Sequence, residues 1–414
     1  MPTLKFKDLT FQEKEEKIQI TFLRLFYFDI LKEDLEKIAK FMINKNKITF
    51  KNIQEQKAKN KFNILLDKGF KSLKNKLTKK QTIYIHQFSG IPLMGHVAFG
   101  IVDRNSSLIE VKPITGCNLN CIYCSVDQDI RPVDFVVEKD YLVKEIRKLI
   151  DFKQTNLEIH FGSQGEVLLY QPLPELIKDL SKIKEITKIS METNGMLLTK
   201  ELVDKLIKSG LSQFNLSINA LDQKLAQKIA GCPYNTAHIK EIVKYISKTR
   251  ENQRFSVPRK SPISAKSKLI IAPVWIPGIN DKEIPKLIEL SKELNCRIGI
   301  QNFLNYRFGR NPVKQMPFDI FRKKMADLEK KHNVKLLLTG ADFNIRRTKP
   351  LPKPFKRGEV LKTKILLLGR LRNEKLAVEK SRVISIPNCP AKIGQKVTIR
   401  ITRTKHNIFI AKQL

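Results

Sequence analysis

The chain has 414 residues, 42% of them hydrophobic and 29% charged, a composition typical of a globular protein with room for two or three domains. Its 78 Lys and Arg residues against 41 Asp and Glu give a formal net charge of +37, which favours polyanionic partners such as nucleic acid. The start, MPTLKFKDLT, lacks the apolar stretch of a secretory signal, and no apolar run approaches the roughly 20 residues of a membrane-spanning helix. We therefore expect a cytoplasmic protein without a membrane partner.

Residues 1–83 are predicted to be a lysine-rich helical region. The segment ITFLRLFYFDILKEDLEKIAKFMI, residues 20–43, has spaced apolar positions of the kind that a helix buries on one face. The first 116 residues contain no cysteine.

From residue 84 the pattern changes to short β-rich segments, after which strand-like and helix-like segments alternate. The strand-like segments of this series are LEIHFGS (157–163), KISMETNG (188–195), FNLSINA (214–220), KLIIAPVWIPG (268–278) and CRIGIQNF (296–303). Such alternation predicts an α/β fold with a parallel sheet, either open or closed into a barrel. In these folds the chemistry lies at the C-terminal ends of the strands.

The C-terminal part changes character again. Residues 348–357 are basic and proline-rich and are predicted to be a linker, and residues 358–414 hold four or five strand-like segments that predict a small β-barrel. Residues 350–414 carry sixteen Lys and Arg against three Asp and Glu, so RNA phosphates are candidate ligands, with a solvated strand face as the alternative. The candidate RNA contacts are Arg370, Arg372, Arg400, Arg403 and Lys405.

Three of the six cysteines, Cys117, Cys121 and Cys124, lie within the eight residues CNLNCIYC. Thiolates at this spacing favour zinc or an iron–sulfur cluster. A structural zinc site is normally closed by four ligands, usually in two pairs, and no fourth Cys or His lies close by in the sequence. Three thiolates on a cubane cluster would instead leave one iron open for another ligand, as a reactive site requires. Ligand count by itself leaves both kinds of site open.

The cysteine loop, with Tyr123 just before its third cysteine, resembles the signature of the radical S-adenosylmethionine (radical SAM) superfamily. As in that family, the loop follows a first strand and begins the strand–helix series, and the resemblance extends over residues 108–310. It implies a partial (β/α)6 barrel over residues 84–347 and a [4Fe–4S] cluster held by the three cysteines. It further implies that S-adenosylmethionine binds the fourth iron and is cleaved to a 5′-deoxyadenosyl radical.

Polar residues at later strand ends resemble the family's contacts to S-adenosylmethionine. The segment FGSQGEVLL matches the last two positions of a Gly-Gly-Glu motif for the methionine amino group, with Gln164 in place of the first glycine. METNG and LSINA resemble the polar strand ends near the ribose and carboxylate. The cofactor contacts that the resemblance implies are Tyr123, Gly165, Glu166, Thr193, Asn194, Ser217 and Asn219.

The tail resembles the TRAM domain, a small β-barrel attached to RNA-modifying enzymes, through RGE (357–359) and HNIFIA (406–411). A radical SAM core with this tail also resembles an archaeal-type group of radical enzymes. The resemblance implies an RNA-modifying transferase that acts on tRNA and takes electrons from a ferredoxin-like or flavodoxin-like donor. The methylthiotransferases that share this tail carry a second three-cysteine cluster, which residues 1–116 lack, so methylation or another C–H functionalisation is expected instead of methylthiolation.

Three points stay open at the level of sequence. Cys232 and Cys389 are candidate thiols for a methyl-carrying mechanism, although buried structural cysteines are the commoner case. Polar and cationic residues after the last strand of the series, which suit contacts to substrate or phosphate or an ordinary turn, are Gln301, Asn302, Tyr306, Arg307 and Arg310. The alternatives to an RNA-modifying enzyme are a radical SAM enzyme acting on a protein or small molecule, and a non-catalytic RNA-binding protein stabilised by zinc.

Overall fold

The computed structural model describes residues 1–162, 164–252 and 268–414. Their strands form two N-terminal sheets, a central sheet of seven strands, a two-stranded ribbon and a closed C-terminal barrel of five strands. One apolar core runs through the N-terminal and central parts, and a second fills the C-terminal barrel. None of the helices in the described ranges combines the length and the apolar character that crossing a membrane would require.

The N-terminal part is built mainly of strands. Its elements are β1 (Thr3–Lys5), β2 (Leu9–Lys14), β3 (Lys17–Phe22), β4 (Phe26–Leu31), α1 (Lys32–Glu36), β5 (Phe41–Asn44), β6 (Lys47–Phe50), α2 (Glu55–Lys71), β7 (Lys74–Asn75) and β8 (Gln81–Ile85). The first sheet has the order β1-β6-β5, and the second begins with β2, β3, β4, β7 and β8.

The prediction of a helical region over residues 1–83 is wrong for most of its length, since only α2 is a long helix. Ile20 and Phe22 in β3 are buried while their neighbours are only partly so, and Phe26 and Phe28 continue this alternation in β4. A burial period of two is that of a strand with one face on the core. Spaced aromatic and β-branched residues are compatible with a helical interpretation of the sequence, but their side chains pack across an antiparallel hairpin.

The central part alternates strands and helices as predicted. Its elements are β9 (Gly100–Asp103), β10 (Leu108–Lys112), β11 (Val133–Val137), α3 (Lys139–Lys153), β12 (Leu157–Phe161), α4 (Leu173–Ser181), β13 (Ile186–Thr193), α5 (Lys200–Ser209), β14 (Gln213–Leu216), α6 (Gln223–Ala230), α7 (Thr236–Asn252), β15 (Lys268–Ile271), β16 (Val274–Trp275), α8 (Glu283–Glu293), β17 (Arg297–Ile298), β18 (Gln301–Asn302) and α9 (Phe318–His332).

The central sheet is open and has the order β17-β15-β14-β13-β12-β10-β9. Its strands are parallel except for the edge strand β9, which pairs antiparallel with β10. The sheet therefore contains six parallel strands, as a partial (β/α)6 barrel requires. The α/β prediction is confirmed.

The predicted boundary at residues 83 and 84 falls inside β8. This strand pairs parallel with β11, which belongs to the central part of the chain, so one six-stranded sheet spans the boundary. The division into domains at this position stays a prediction.

The two faces of the central sheet differ in chemistry. Ile159 and Phe161 of β12 and Ile189 and Met191 of β13 are fully buried in the apolar core. The residues between them on these strands are charged or polar, because successive side chains of a strand point to opposite faces. The inner face of the sheet is therefore polar.

The C-terminal strands are β19 (Val360–Leu368), β20 (Lys375–Glu379), β21 (Arg382–Ile386), β22 (Lys396–Arg403) and β23 (Phe409–Gln413). They close into a barrel in the order β19-β20-β21-β23-β22, so the prediction of a small β-barrel is confirmed. The barrel is docked on the central part of the molecule: Val383 N donates to Met94 O at 2.9 Å and Phe409 N to Gly95 O at 3.1 Å.

The beginning of the predicted linker is held by side chains of the core. Lys153 Nζ at the end of α3 donates to Thr348 Oγ1 at 2.7 Å and to Lys349 O at 2.9 Å. The same ammonium lies 2.9 Å from Asp103 Oδ2, and neither of these two charged side chains has exposed surface. A buried ion pair therefore fixes the point at which the chain leaves the core for the barrel.

Candidate active site

The cysteine loop follows β10 at the C-terminal edge of the central sheet. Leu119 N donates to Cys117 Sγ at 3.4 Å, and Cys124 N donates to Cys121 O at 3.2 Å, so the loop turns back on itself between its cysteines. None of the six cysteines, all of which lie in the described residues, forms a disulfide. Cys117, Cys121 and Cys124 line one cavity of about 300 Å³.

Burial raises the pKa of the Cys117 thiol well above its ordinary range and that of Cys121 to about 12, and the neighbouring Cys124 adds to the shift at Cys121. No group of three or more histidine, cysteine, aspartate or glutamate side chains in the described part of the chain is assembled as a metal site. The ligand role of the three cysteines therefore stays a prediction, supported by the one cavity that they share.

Glu166 forms a fixed carboxylate in the cavity wall and is 2% exposed. It accepts hydrogen bonds from Thr193 Oγ1 at 2.7 Å, from Leu168 N at 3.0 Å and from Asn194 N at 2.9 Å. Burial raises the pKa of this carboxyl, and the three donors oppose that rise. A buried carboxylate oriented in this way is a suitable acceptor for an ammonium group.

Gly165 places Glu166 in this position because it allows two chain segments to approach each other closely. A Cβ atom at residue 165 would overlap the carbonyl oxygens of Thr115 and Gly116, and Glu166 N donates to Gly116 O at 2.7 Å. The glycine is thus required where the loop after β12 meets the segment that follows β10.

The remaining predicted cofactor contacts tie the strand ends to the cysteine loop. Asn194 Nδ2 donates to Asn118 Oδ1 at 2.9 Å, and Asn219 Nδ2 donates to Tyr123 Oη at 2.7 Å. Burial raises the pKa of Tyr123 well above its usual range, so this hydroxyl is a neutral hydrogen-bonding group. All seven predicted contacts line the same cavity as the three cysteines.

This set of residues fits the predicted cluster and S-adenosylmethionine. The cysteines would hold the irons, Glu166 would accept from the methionine ammonium, and the amides and hydroxyls at the ends of β13 and β14 would bind ribose and carboxylate oxygens. The fit rests on the chemistry of the donors and on their convergence on one cavity.

Several lining residues were not predicted as site residues, namely Gln128, Glu192 and Tyr234. A glutamine after the cysteine loop or a tyrosine after a helix gives no signal in a single sequence. Gln164 stands out in the sequence only as a departure from the Gly-Gly-Glu motif, although it lines the cavity and its carbonyl oxygen accepts from Arg131 Nη1 at 3.1 Å.

The two candidate thiols lie in different apolar cores. Cys389 is 1% exposed inside the C-terminal barrel, where its Sγ lies 3.1 Å from Gln413 Oε1. Cys232 packs on the main core, with its Sγ 3.8 Å from Asn118 O in the cysteine loop. Neither thiol lines the cavity. The structure gives no support to a mechanism in which both thiols act on one substrate.

The cationic residues of the barrel fall into two groups. Arg372, Arg400, Arg403 and Lys405 are exposed, as expected for contacts to RNA. Arg370 is not part of an exposed strand face, because it is half-buried and its Nη1 donates to the side-chain oxygen of Gln164. Arg370 was expected to be exposed to solvent, but in the structure it joins the barrel to the cavity through this contact with Gln164.

Comparison with known proteins identifies the superfamily of this chain. The family model described as the Radical SAM superfamily matches residues 111–291. A protein of Methanocaldococcus jannaschii, described as uncharacterized, is 38% identical over an alignment of 376 residues that covers 82% of this chain and 82% of that protein. The chain belongs to the radical SAM superfamily, and it is an enzyme that uses a [4Fe–4S] cluster and S-adenosylmethionine.

Other similarities cover parts of the chain. A GTP 3′,8-cyclase of Thermodesulfovibrio yellowstonii is 27% identical over 219 residues, which is 52% of this chain and 61% of the cyclase. The crystal structure of Streptococcus suis SuiB bound to S-adenosylmethionine has 16% sequence identity and a TM-score of 0.43, covering 80% of this chain and 71% of that chain.

Proposed function

We propose that this radical SAM enzyme modifies RNA, with tRNA as the substrate, by methylation or another functionalisation of a C–H bond. The observation that carries the proposal is a set of exposed cations that extends along the docked barrel and onto the core. The bound cluster and S-adenosylmethionine supply hydrogen-atom abstraction. The protein's own residues bind and orient the cofactor and the RNA and exclude water.

One end of this basic surface lies around His406, in the turn between β22 and β23. Burial and the positive charges of Arg104, Lys405, Arg403 and Lys353 lower the pKa of His406. Arg104 also lines a groove with Arg346 and Arg347. Among the described carboxylates, none forms an ion pair with Arg346, Arg347 or Arg403, so these cations are available to phosphates.

The other end of the basic surface lies beside the active-site cavity. Arg372 is exposed in the turn between β19 and β20, two residues from the Arg370 that contacts Gln164. β19 has nine residues and is therefore roughly 25 to 30 Å long, and Arg372 and Arg403 lie beyond its two opposite ends. A ligand that neutralises both ends is longer than one nucleotide, which favours a polymer of phosphates over a free nucleotide.

Binding of tRNA at several salt concentrations tests this proposal. In a variant with Arg346, Arg347, Arg403 and Lys405 replaced by Gln, we expect weaker binding and a salt slope reduced by about one for each phosphate that the variant no longer neutralises. A matched control replaces four exposed lysines of α2, namely Lys57, Lys59, Lys61 and Lys68. Equal losses in both variants would show that only the net charge matters, and an unchanged tRNA nucleoside profile in cells lacking the gene would count against RNA as the substrate.

A second candidate function is modification of a small polar molecule, and the inner face of the central sheet favours it. His160 Nδ1 lies 2.9 Å from Ser190 Oγ, Lys112 Nζ lies 3.2 Å from Glu110 Oε2, and Lys188 Nζ lies 3.1 Å from Glu158 Oε2. These side chains meet on one face because Glu110 pairs with His160 and His160 with Ser190 across neighbouring strands. Glu192 carries this polar face into the cavity.

A polar inner face would suit a ligand that has both charged and hydrogen-bonding groups, and the similarity to GTP 3′,8-cyclases adds nucleotides to the candidates. Formation of 5′-deoxyadenosine by the reduced enzyme distinguishes the two functions. Stimulation by tRNA and not by nucleoside triphosphates would support the RNA proposal, and the reverse would support the small-molecule function.

A further inference from the structure

The loop that follows β18 lies directly on the cysteine loop, although almost two hundred residues of chain separate them. Arg310 N donates to Cys124 O at 2.9 Å, and Asp127 N donates to Phe308 O at 3.0 Å. A Cβ atom on Gly309 would lie 2.9 Å from Cys124 O, so the two backbones are in close contact. The end of the central sheet therefore closes over the segment that carries the predicted cluster ligands.

The Arg310 side chain reaches further into the cysteine loop. Its Nη1 donates to Asn120 O at 2.6 Å and approaches Cys121 O at 3.4 Å. Its Nε donates to Asp127 Oδ1 at 3.1 Å and its Nη2 to Asp129 Oδ2 at 2.7 Å. The Arg310 side chain is 16% exposed and that of Asp127 is 25% exposed, so solvent only partly screens this pair, whereas Asp129 is 73% exposed and its pair is screened more strongly.

The contacts of Arg310 require the planar arrangement of several N–H donors that a guanidinium group has. Arg310 bonds main-chain oxygens on one side and two carboxylates on the other, which needs several donors in a fixed plane. A lysine ammonium at the same position would retain the charge but could not keep all of these directions. The group therefore fixes the backbone between Cys117 and Cys124 from outside the cavity.

We propose that Arg310 is a positioning residue for the [4Fe–4S] cluster, which holds the cysteine loop in its ligating conformation and raises the reduction potential of the cluster. The potential of such a cluster depends on the charge and hydrogen bonds around it. Without Arg310, the carboxylates of Asp127 and Asp129 would lose their ion-pair partner, and the added net negative charge beside the loop would disfavour the added electron. This role depends on the cofactor that defines the superfamily and is independent of the RNA proposal.

The experiment compares four full-length proteins after anaerobic reconstitution and desalting. They are the wild type, R310Q, R310K and the control R307Q, whose guanidinium lies over the Phe308 ring at 5.1 Å from the ring centroid. The two measurements are iron and sulfide retained per chain during incubation with a chelator, and the midpoint potential from a spectroscopically monitored redox titration. Neither measurement requires substrate turnover.

We expect R310Q to lose iron several-fold faster than the wild type and to have a more negative midpoint potential. R310K should lose iron faster but keep a potential close to that of the wild type, because it keeps the charge. R307Q should match the wild type in both. An R310Q protein that is indistinguishable from R307Q in iron retention and potential would overturn the proposal.

A second variant keeps the proposal testable if the R310Q polypeptide does not fold. Replacing Asp127 and Asp129 by Asn removes the two negative charges and leaves Arg310 in place, so the midpoint potential should shift in the positive direction. An unchanged or more negative potential in this double variant would contradict the electrostatic role.

Discussion

Glu166 shows at the scale of one residue how this site combines burial with hydrogen bonding. The carboxylate accepts three hydrogen bonds, but burial still raises its pKa. A cation bound beside it would therefore stabilise its ionised form. A methionine ammonium would supply that charge. Both the affinity for S-adenosylmethionine and its dependence on pH should therefore respond to this one carboxyl group.

Replacing Glu166 by Gln should weaken the binding of S-adenosylmethionine by about 10- to 100-fold, because a hydrogen bond to a charged group is lost. Equilibrium dialysis with the reconstituted protein measures this change. Glu192→Gln is the control, since Glu192 lines the same cavity but is exposed and accepts none of these three donors. Equal affinities of the two variants would remove Glu166 from the cofactor site.

The affinity for S-adenosylmethionine should also fall as the pH is lowered through the raised pKa of Glu166, and this decrease should begin above the ordinary carboxyl pKa of 4.5. The stability of the protein without S-adenosylmethionine should depend on pH in the opposite direction. Because the fold favours the protonated form of Glu166, the stability that this group contributes is present at low pH and is lost as the pH rises through its raised pKa. The increase in melting temperature caused by S-adenosylmethionine, measured from about pH 5 to pH 8, tests the prediction. A shift independent of pH over this range would contradict it.

At the scale of elements, the loop after β12 can lie against the segment that follows β10 because Gly165 has no side chain. Gly165→Ala would push a methyl group into two carbonyl oxygens and should destabilise the protein by about 1–3 kcal/mol while displacing Glu166. Denaturant unfolding and binding of S-adenosylmethionine measure the two effects. The control is Gly299→Ala, whose added Cβ would meet its nearest neighbour, Ile270 Cγ2, at 3.8 Å and should change little.

The helix α3 anchors the start of the chain segment that leads to the barrel. Lys153→Met leaves Asp103 buried and unpaired and removes both hydrogen bonds to residues 348 and 349, so we expect a loss of about 3–5 kcal/mol in unfolding free energy and faster proteolysis near residue 350. Lys148→Met on the same helix removes an exposed pair with Glu145 and should cost less than about 1 kcal/mol. If both variants are cleaved at the same rate, the buried pair does not restrain this segment.

At the scale of the whole molecule, the barrel both presents cations to solvent and reaches the active site. Arg370→Gln removes the hydrogen bond to Gln164 and should lower the affinity for S-adenosylmethionine by about 3- to 10-fold while tRNA binding changes little. Arg372→Gln, two residues away and exposed, should do the reverse. Titration of each variant with both ligands checks this pair, and identical effects of the two variants would contradict the division of roles.

Sequence reasoning succeeded where the signal is local and failed where it depends on packing. The order of strand and helix segments after residue 157 could be predicted from the pattern of apolar residues. Seven cavity-lining residues, from Tyr123 to Asn219, could be predicted because each belongs to the cysteine loop or to a short motif at a strand end. The helical interpretation of residues 1–83 failed because spaced apolar residues are compatible with a hairpin as well as a helix. Arg370 was misplaced because no local pattern tells an exposed arginine from one that meets a partner 206 residues away in the chain.

By itself the sequence determined the superfamily, its cofactors and ten of the residues that line the cavity, namely the three cysteines and the seven predicted cofactor contacts. Cysteine spacing and strand-end motifs depend on neighbours within a few residues, so they can be recognised from the sequence without a structure. Only the tertiary structure decided how these parts are held: Arg310 on the cysteine loop, Arg370 on Gln164, and Lys153 at the start of the predicted linker. Each of these contacts joins segments far apart in the chain, and their pairing is fixed by the close packing of the whole fold and not by any local preference.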